Sequence, residues 1–417
     1  MRLLHTSDWH LGQTFYEFDR TNEHAAFLKW LVEAINTQNV DVLLISGDVF
    51  DVSNPSAASV LQFYTFLKDA VHANPHLQIL VIAGNHDSPS RLEAPKPLLE
   101  VFNITIIGVV QRQVSATGTL EAIDYNQFVV PLKNKDGEIK AWCMAVPFLR
   151  NGDYPVVPGA SAPYSEGVVA LYDGVYQAAL SKKQPGQAII AMGHLHTYGA
   201  STSDQDKSER LILGGAELVP ATCFNKGIAY TALGHIHRPQ KIGGKENTRY
   251  AGSPIPMSFS EENYKHQVVL VDIDGETVTN IEPLYIPVTI KLLRIPTKHA
   301  NINQVLQELI ELPDAATEDK SMSPYLEIRV LLDSPEPALR HKIETTIGKK
   351  DVRLAKIDVR YPTKTGEADP SQSIEELNNL APADVYKKVY QKKYQNEPAP
   401  ELTAFFNEVV QEINQTA

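Results

Sequence analysis

Over residues 1–285, short and almost wholly apolar runs alternate with stretches whose apolar positions recur at helical spacing. Arg2–Thr6, Val40–Ser46 and Gln78–Ala83 read as strands, as do Ile104–Ile107, Trp142–Val146, Ala188–Met192, Ala229–Leu233 and Val268–Ile273. Asn22–Gln38 places Phe27, Leu28, Leu31, Val32 and Ile35 on one helical face, and Ala57–His72 reads as a second helix. Many strands with few long helices in the second half predict an α/β domain of two stacked sheets with helices outside them. From residue 286 the pattern changes. Ile286–Ile295, Tyr325–Leu332 and Val352–Val359 read as strands, with helices Ile302–Glu311 and Pro337–Ile347 between them. This βαβαβ unit, 286–362, is large enough to be a small separate module. Residues 363–380, which include TKTGEADPSQS, have linker composition.

Residues 381–417 carry two amphipathic helical patterns. Val385, Tyr386, Val389 and Tyr390 mark the first; Leu402, Phe405, Phe406, Val409, Val410 and Ile413 mark the second. So short a tail cannot bury that much apolar surface within itself. Tyr386, Tyr390, Phe405, Phe406 and Val409 are therefore expected to meet a protein partner. The helical spacing of Tyr386, Tyr390 and Tyr394 favours a protein-binding stripe over a row for stacking bases.

Composition narrows the class. With 43% hydrophobic and 21% charged residues the chain has the profile of a soluble globular protein. No apolar run approaches the roughly 20 residues that span a bilayer. The opening MRLLHTSDWHLG has neither an apolar export core nor a cleavage site, and Cys143 and Cys223 are too few for a disulfide framework. These features predict a cytoplasmic protein. A net charge of −12 argues against holding nucleic acid by a broad basic surface. It leaves nucleic acid open as a substrate, because two divalent cations against two ligating carboxylates give a local charge of roughly +2, and a partner could supply further basic surface.

Five short motifs carry the chemistry. Asp8-Trp9-His10 follows the first strand, Gly47-Asp48 the second, and Gly84-Asn85-His86-Asp87 the third. Gly193-His194 follows Ala188–Met192, and Gly234-His235-Ile236-His237 follows Ala229–Leu233. Each sits at the C-terminal end of an apolar run, and in an α/β sheet such ends line one edge, where ligands bind. Asp, Asn and His offer the oxygen and nitrogen donors that suit manganese, iron or zinc. Two metals roughly 3.5–4 Å apart need a bridging anion; Asp48, whose motif stands alone, is the candidate. His86 adjoins a ligand without being needed in the count, which suits a residue that protonates the leaving oxygen or steadies the transition state. A lone strand-end histidine is more often structural than a ligand, but five motifs in this order reverse that judgement. Trp9 reads as packing support rather than a ring that stacks on a base, His5 as a core or supporting residue, and His24 as a surface or capping residue, with support of the ligands as the alternative. Arg91 could contact a DNA phosphate or pair locally.

In this order and wording, HTSDWHLG, SGDVFD, AGNHDSPSRL, GHLHTYGAS, ALGHIHRPQ and AGSPIPMSF resemble the calcineurin-like metallophosphoesterase superfamily, and within it the bacterial DNA nuclease subunits that work with an ATPase. The likeness is strong over residues 1–260 and one of layout beyond. It implies a four-layer sandwich of two stacked sheets flanked by helices, with 1–285 as the nuclease domain, 286–362 as a capping domain, 363–380 as a linker and 381–417 as a helical tail. It implies one metal held by Asp8, His10, Asp48 and His237 and a second by Asp48, Asn85, His194 and His235, usually manganese, with His86 acting on the transition state. The implied activity is double-strand exonuclease and single-strand or hairpin endonuclease, serving DNA repair, recombination and replication. The implied assembly is a homodimer, paired through Ala57–His72 and the segment after GNHD, bound to an ATPase of the structural-maintenance type whose coiled-coil base the tail helices grip. Two points depart or stay open. Asp51 stands where some relatives carry an assisting histidine, so none is assumed. GHLH offers either His194 or His196, and the family pattern favours His194. The alternatives are a phosphoesterase on the same scaffold acting on a small phosphodiester or nucleotide, and a docking scaffold with a vestigial site. SGDVFDVS lacks the Arg-Gly that follows in protein phosphatases, and all seven ligand types are present.

Overall fold

The structure, a computed structural model, describes residues 1–114, 120–201, 218–334 and 336–361, with positions 386, 387, 390, 397, 398, 402, 403 and 406 beyond them. Two six-stranded sheets lie at its centre. In the first, Arg2–Thr6, Val42–Ser46, Gln78–Ile82 and Ile104–Ile107 run parallel, and Gln267–Asp274 and Thr277–Tyr285 extend the Arg2 edge antiparallel. In the second, Ile139–Ala145, Ala188–His194, Tyr230–Gly234 and Lys245–Tyr250 run parallel, with antiparallel strands Val129–Lys133 and Gln240–Ile242 at the edges.

The apolar runs have no polar alternation because both faces are covered. Leu4, Leu43, Ile45, Ile79 and Val81 face helices Thr21–Thr37 and Ala57–Ala73, where they meet Phe27, Leu31 and Phe63. Their neighbours Leu3, Val42, Leu44, Leu80 and Ile82 face the other way and share one core with Cys143, Ile190 and Ala232 of the second sheet. The same core takes in Val168, Leu171 and Val175 from the helix Pro163–Lys182. Helix, sheet, sheet and helix are therefore stacked as four layers. At about 1.5–3 kcal/mol per fully buried aliphatic side chain, this central core dominates the stability of the fold.

The helix Pro163–Lys182 is not anticipated by the sequence pattern. Gly167 and Gly174 interrupt its periodicity, and they do so because the rings of Tyr154 and Tyr125 lie where a Cβ would stand.

Beyond the sandwich, Leu292–Ala300, Tyr325–Leu331 and Arg353–Arg360 form a parallel three-stranded sheet joined through helices Ile302–Ile310 and Leu339–Ile347, with its own core around Val305, Ile328 and Ile343. The first of these strands starts later than the expected Ile286. Ile286 is buried in the core beneath the Thr21 and Ala57 helices, and Ile290 packs with Phe15, Phe259 and Tyr325, so both apolar positions serve the approach to the module rather than its sheet.

Residues 361–417 form a second unit. Within it Tyr386, Tyr390, Leu402 and Phe406 are helical, and the Tyr386 ring stacks on Phe406 at 4.4 Å with a 9° interplanar angle. Phe405, Val409 and the 363–380 linker lie outside the described residues.

Candidate metal centre

Strands of the two sheets end at a common edge, and the loops leaving them interlock. Asp8 N–H donates to the Gly47 carbonyl and His10 N–H to the Asp48 carbonyl, both at 3.0 Å. His86 N–H donates to Asp48 Oδ1 at 2.8 Å, and His235 N–H to Asp8 Oδ1 at 2.9 Å. Two glycines make this closeness possible: a Cβ at Gly84 would collide with Asp48, and one at Gly234 with the Ser46 carbonyl. Asp8, His10, Asp48 and His235 all take positive φ, at 55°, 48°, 50° and 101°. Such backbone costs of order 1–3 kcal/mol per residue and gathers at functional sites, where surrounding bonds enforce it.

The side chains converge. Ligand-type atoms of Asp8, His10 and His237 lie within 4.8 Å of one another, as do those of Asp8, Asp48 and His194 and those of His10, Asp48 and His86. Asn85 Oδ1 lies 2.9 Å from both His194 Nε2 and His235 Nδ1, and Asp48 Oδ2 is 3.2 Å from His194 Nε2. All seven sequence-predicted ligand residues thus meet in one place, with Asp48 at the middle and His86 at its margin. His196 stands outside the triads, its ring 6.1 Å from that of His235. Arg91 is exposed and its Nη1 donates to Asn54 Oδ1 at 2.5 Å. Trp9 is fully buried, edge-on to Phe27, Phe63 and Phe66. His24 is not a surface residue: it is fully buried, and Nε2 donates to the Trp9 carbonyl at 3.1 Å.

The electrostatics suit a cation. His194 Nδ1 donates to the Ser46 carbonyl at 2.8 Å, so its Nε2 points at the oxygens of Asn85 and Asp48. Burial opposes charge on that ring, but the field and hydrogen bond of Asp48 outweigh it and raise its pKa to about 9. Burial likewise opposes the Asp48 charge, and His194, His10 and His86 nevertheless hold its carboxyl well below the usual range. Burial and the His194 charge push His235 well down. The buried ring nitrogens of His10 make no hydrogen bond, but Nδ1 lies 3.3 Å from Asp51 Oδ1 and Nε2 3.7 Å from Asp48 Oδ2. Acceptor oxygens crowded against imidazole lone pairs, with a proton on His194 holding them together, are what a divalent cation would replace, so the donor set fits a metal.

Sequence reasoning missed the residues that hold this set. Asp87 accepts from Gly84 N–H, Val49 N–H and Phe50 N–H at 2.9, 3.2 and 3.0 Å, tying the GNHD loop to the GDVF loop; burial raises its pKa to about 6. Arg150 Nη2 lies 3.4, 3.3 and 3.0 Å from the carbonyls of Gly84, Asn85 and Asp87. Glu261 Oε1 is 3.3 Å from His237 Nδ1. The motif GNHD itself flags Asp87; for Arg150 and Glu261, far from the motifs in sequence, no local signal exists.

Stacked sheets whose strand ends carry this buried carboxylate, amide and imidazole cluster define a metal-dependent phosphoesterase, and residues 1–239 match the calcineurin-like phosphoesterase family. Residues 288–394 match the Type 5 capsule protein repressor C-terminal domain. The chain is 34% identical over 385 residues to SbcD of the SbcCD nuclease from Rhodobacter capsulatus, covering 90% of this chain and 91% of that protein. It is 32% identical over 398 residues to the Escherichia coli protein of the same name (93% and 92%), and 34% identical over 287 residues to that of Bacillus subtilis (67% and 68%). The chain belongs to the SbcD family of metal-dependent nucleases.

Proposed function

We propose that this chain cleaves DNA with two divalent ions, manganese by preference, as an exonuclease on duplex ends and an endonuclease on single strands and hairpins. The observation that carries the reading is the convergence of Asp8, His10, Asp48, Asn85, His194, His235 and His237 from five loops on one buried cluster. Asp8, His10, Asp48 and His237 would hold one ion and Asp48, Asn85, His194 and His235 the other, with Asp48 shared. When bound, the ions supply Lewis acidity toward a phosphoryl oxygen and make water acidic enough to attack near neutral pH.

The protein's own part is positioning and proton handling. The Ser46 carbonyl fixes the Nδ1 proton of His194 and aims Nε2 inward. The Asp51 carbonyl does the same for His86, through Nδ1 at 2.7 Å, so its Nε2 serves the leaving oxygen. The ring of Phe148, within 6.4 Å of His235 and 6.2 Å of His194, screens this side of the cluster from water.

The relatives' name, which makes them one component of an SbcCD nuclease, supports a complex with the SbcC ATPase acting in DNA repair, recombination and replication. In it the 286–362 module caps the nuclease domain of 1–285, and the tail, through Tyr386, Tyr390, Phe405, Phe406 and Val409, takes hold of SbcC; Arg91 contacts the DNA backbone. Two copies pair through the helix Ala57–Ala73, where apolar grooves of 660 and 480 Å³ lie on either side and Leu61, Leu98, Val101 and Phe102 are exposed. No described helix is long and apolar enough to cross a membrane; the place of work we propose is the cytoplasm.

The test is cleavage of end-labelled linear duplex by the EDTA-stripped protein with manganese restored, beside hydrolysis of a small phosphodiester dye. Duplex cleavage that depends on the added ion is expected. Dye hydrolysis without duplex cleavage, in the presence of SbcC and ATP, would refute the nuclease reading in favour of a small-substrate phosphoesterase.

A further inference from the structure

One turn touches both the metal cluster and the three-stranded module. Glu261 is 2% exposed; its Oε1 stands 3.3 Å from His237 Nδ1, while Oε2 accepts from Met257 N–H at 2.9 Å and Ser253 Oγ at 3.4 Å. Ser253 N–H in turn donates to the His237 carbonyl at 3.1 Å, so main chain and ring of His237 are both gripped by this segment. Ser258 caps the short helical turn Phe259–Glu261 by accepting from Ser260 N–H.

The other side of the same turn seats the module. Phe259 is buried with Phe15, Ile290 and Tyr325, the last from the strand Tyr325–Leu331. Glu262 Oε2 lies 3.3 Å from Arg294 Nη1 of the strand Leu292–Ala300. Tyr325 hydroxyl donates to Glu23 Oε1 at 2.7 Å, and Arg20, buried and paired with Glu23, sends Nη1 to the Pro256 carbonyl at 2.7 Å, within the same segment. Three contacts within four residues, Phe259 to the module, Glu261 to His237 and Glu262 to the module, leave little freedom for one side to move without the other.

We propose that Glu261 is a positioning residue for His237 and that the segment Ser253–Glu262 couples the seating of the 292–360 module to the affinity of the metal position His237 serves. A carboxylate on Nδ1 fixes the ring so that Nε2 presents its lone pair to the ion and makes the imidazole a stronger donor. The module, by packing on Phe259 and Glu262, holds that carboxylate in place. Displacing the module, as a partner or substrate bound to it would, then loosens one ion and leaves the ion held by Asn85, His194 and His235 alone. This rests on the two-metal reading above.

The experiment is manganese titration of the EDTA-stripped full-length protein, with free ion counted by its electron paramagnetic resonance signal and folding checked by circular dichroism. Wild type should take up two ions. Glu261→Ala should weaken one binding step about 10–100-fold and leave the other within twofold, and Glu261→Gln, which keeps an acceptor oxygen, should recover part of the loss. On the module side, Tyr325→Ala should weaken the same step at least threefold; if that variant does not fold, Phe259→Leu is read in its place. Wild type taking up no ions overturns the metal reading and this inference with it. Two ions in wild type with both steps unchanged in Glu261→Ala overturn this inference alone, and loss confined to the Glu261 variants overturns the coupling to the module.

Discussion

His86 takes its ring orientation from the main chain of Asp51, to whose carbonyl oxygen Nδ1 donates at 2.7 Å. A carbonyl only accepts, so the neutral ring carries its proton on Nδ1, and Nε2 is the nitrogen whose protonation can change. The ring lies edge-on to His10 with centroids 4.8 Å apart. If His86 delivers a proton or a hydrogen bond to the leaving oxygen, His86→Gln should lower the manganese-dependent DNA cleavage rate by about 10²–10⁴-fold while manganese stoichiometry stays that of wild type. Because the bond is to the main chain, Asp51→Asn should spare the His86 orientation; its effect should come instead through His10, whose Nδ1 lies 3.3 Å from Asp51 Oδ1, as weaker manganese binding. Single-turnover cleavage beside ion counting checks both; cleavage by His86→Gln at the wild-type rate would remove His86 from the mechanism.

Arg150 holds the GNHD loop, its Nη2 on the carbonyls of Gly84, Asn85 and Asp87 and its guanidinium 5.4 Å from the Phe148 ring centre. Phe148 itself stacks on His235 at 24°. Removing the guanidinium leaves carbonyls short of donors and frees the loop that carries Asn85 and His86. Arg150→Ala should weaken manganese binding about 10–100-fold, the range for residues that orient metal ligands. Arg150→Lys, with a point charge in place of the planar fork, should recover only part. Calorimetric titration of both variants decides the matter, and wild-type affinity in Arg150→Ala would relegate the residue to packing.

What could be read from the sequence follows from how local each signal is. The strands and the ligand motifs at their ends sit within a few residues of one another, so Asp8, Asp48, Asn85, His194 and His235 are legible as soon as the apolar runs are recognised as parallel strands. Arg150 and Glu261 act on residues 63–66 and 24 positions away, and nothing in their neighbourhoods announces it. The Pro163–Lys182 helix is hidden by Gly167 and Gly174, which mark where tyrosine rings press on it. His24 looks like a capping residue because its position near a helix start is polar, yet it is fully buried and its Nε2 donates to the carbonyl of Trp9.

His5 lies fully buried between the sheets, accepting from Tyr230 hydroxyl at 3.0 Å through Nδ1 and donating to the Leu233 carbonyl at 3.2 Å through Nε2. Burial lowers its pKa to about 3, against the pull of the Leu233 bond and with help from Arg249. The unfolded chain has an ordinary histidine there, near 6.5. Between these values the unfolded state binds the extra proton, so this group's contribution is present above about pH 6.5 and is lost as pH falls toward 3. The slope is about 1.4 kcal/mol per pH unit once the unfolded histidine is fully charged. His5→Asn should cost about 1–3 kcal/mol at pH 7 for the bonds it leaves unmade and should flatten the stability profile by one proton between about pH 4 and 5.5. Urea unfolding of both proteins across that range is the measurement; identical slopes would mean that His5 titrates normally in the folded protein.

The pairing of two copies through the Ala57–Ala73 helix and the segment after GNHD is open to a direct test because apolar residues of both are already in solvent. Leu61 is 68% exposed, Leu98 73% and Val101 79%, and Phe102 lines the groove formed with Tyr64, Leu67 and Val71. Burying Leu61 and Phe102 in an interface would stabilise it by about 1.5–3 kcal/mol for each side chain, and in a two-fold pair each counts twice. A carboxylate at either position would have to be buried without a partner, which costs more than the lost apolar contact. The double variant Leu61→Glu, Phe102→Glu should therefore sediment as a monomer at concentrations where wild type is a dimer. Its melting temperature should be little changed, because neither side chain serves the core of its own chain. Manganese-dependent hydrolysis of the small phosphodiester dye should persist, since no metal-cluster residue lies on this helix, while duplex cleavage that needs two copies across one DNA end should fall. A wild-type protein that sediments as a monomer at all concentrations, or a double variant that stays dimeric, would move the interface elsewhere.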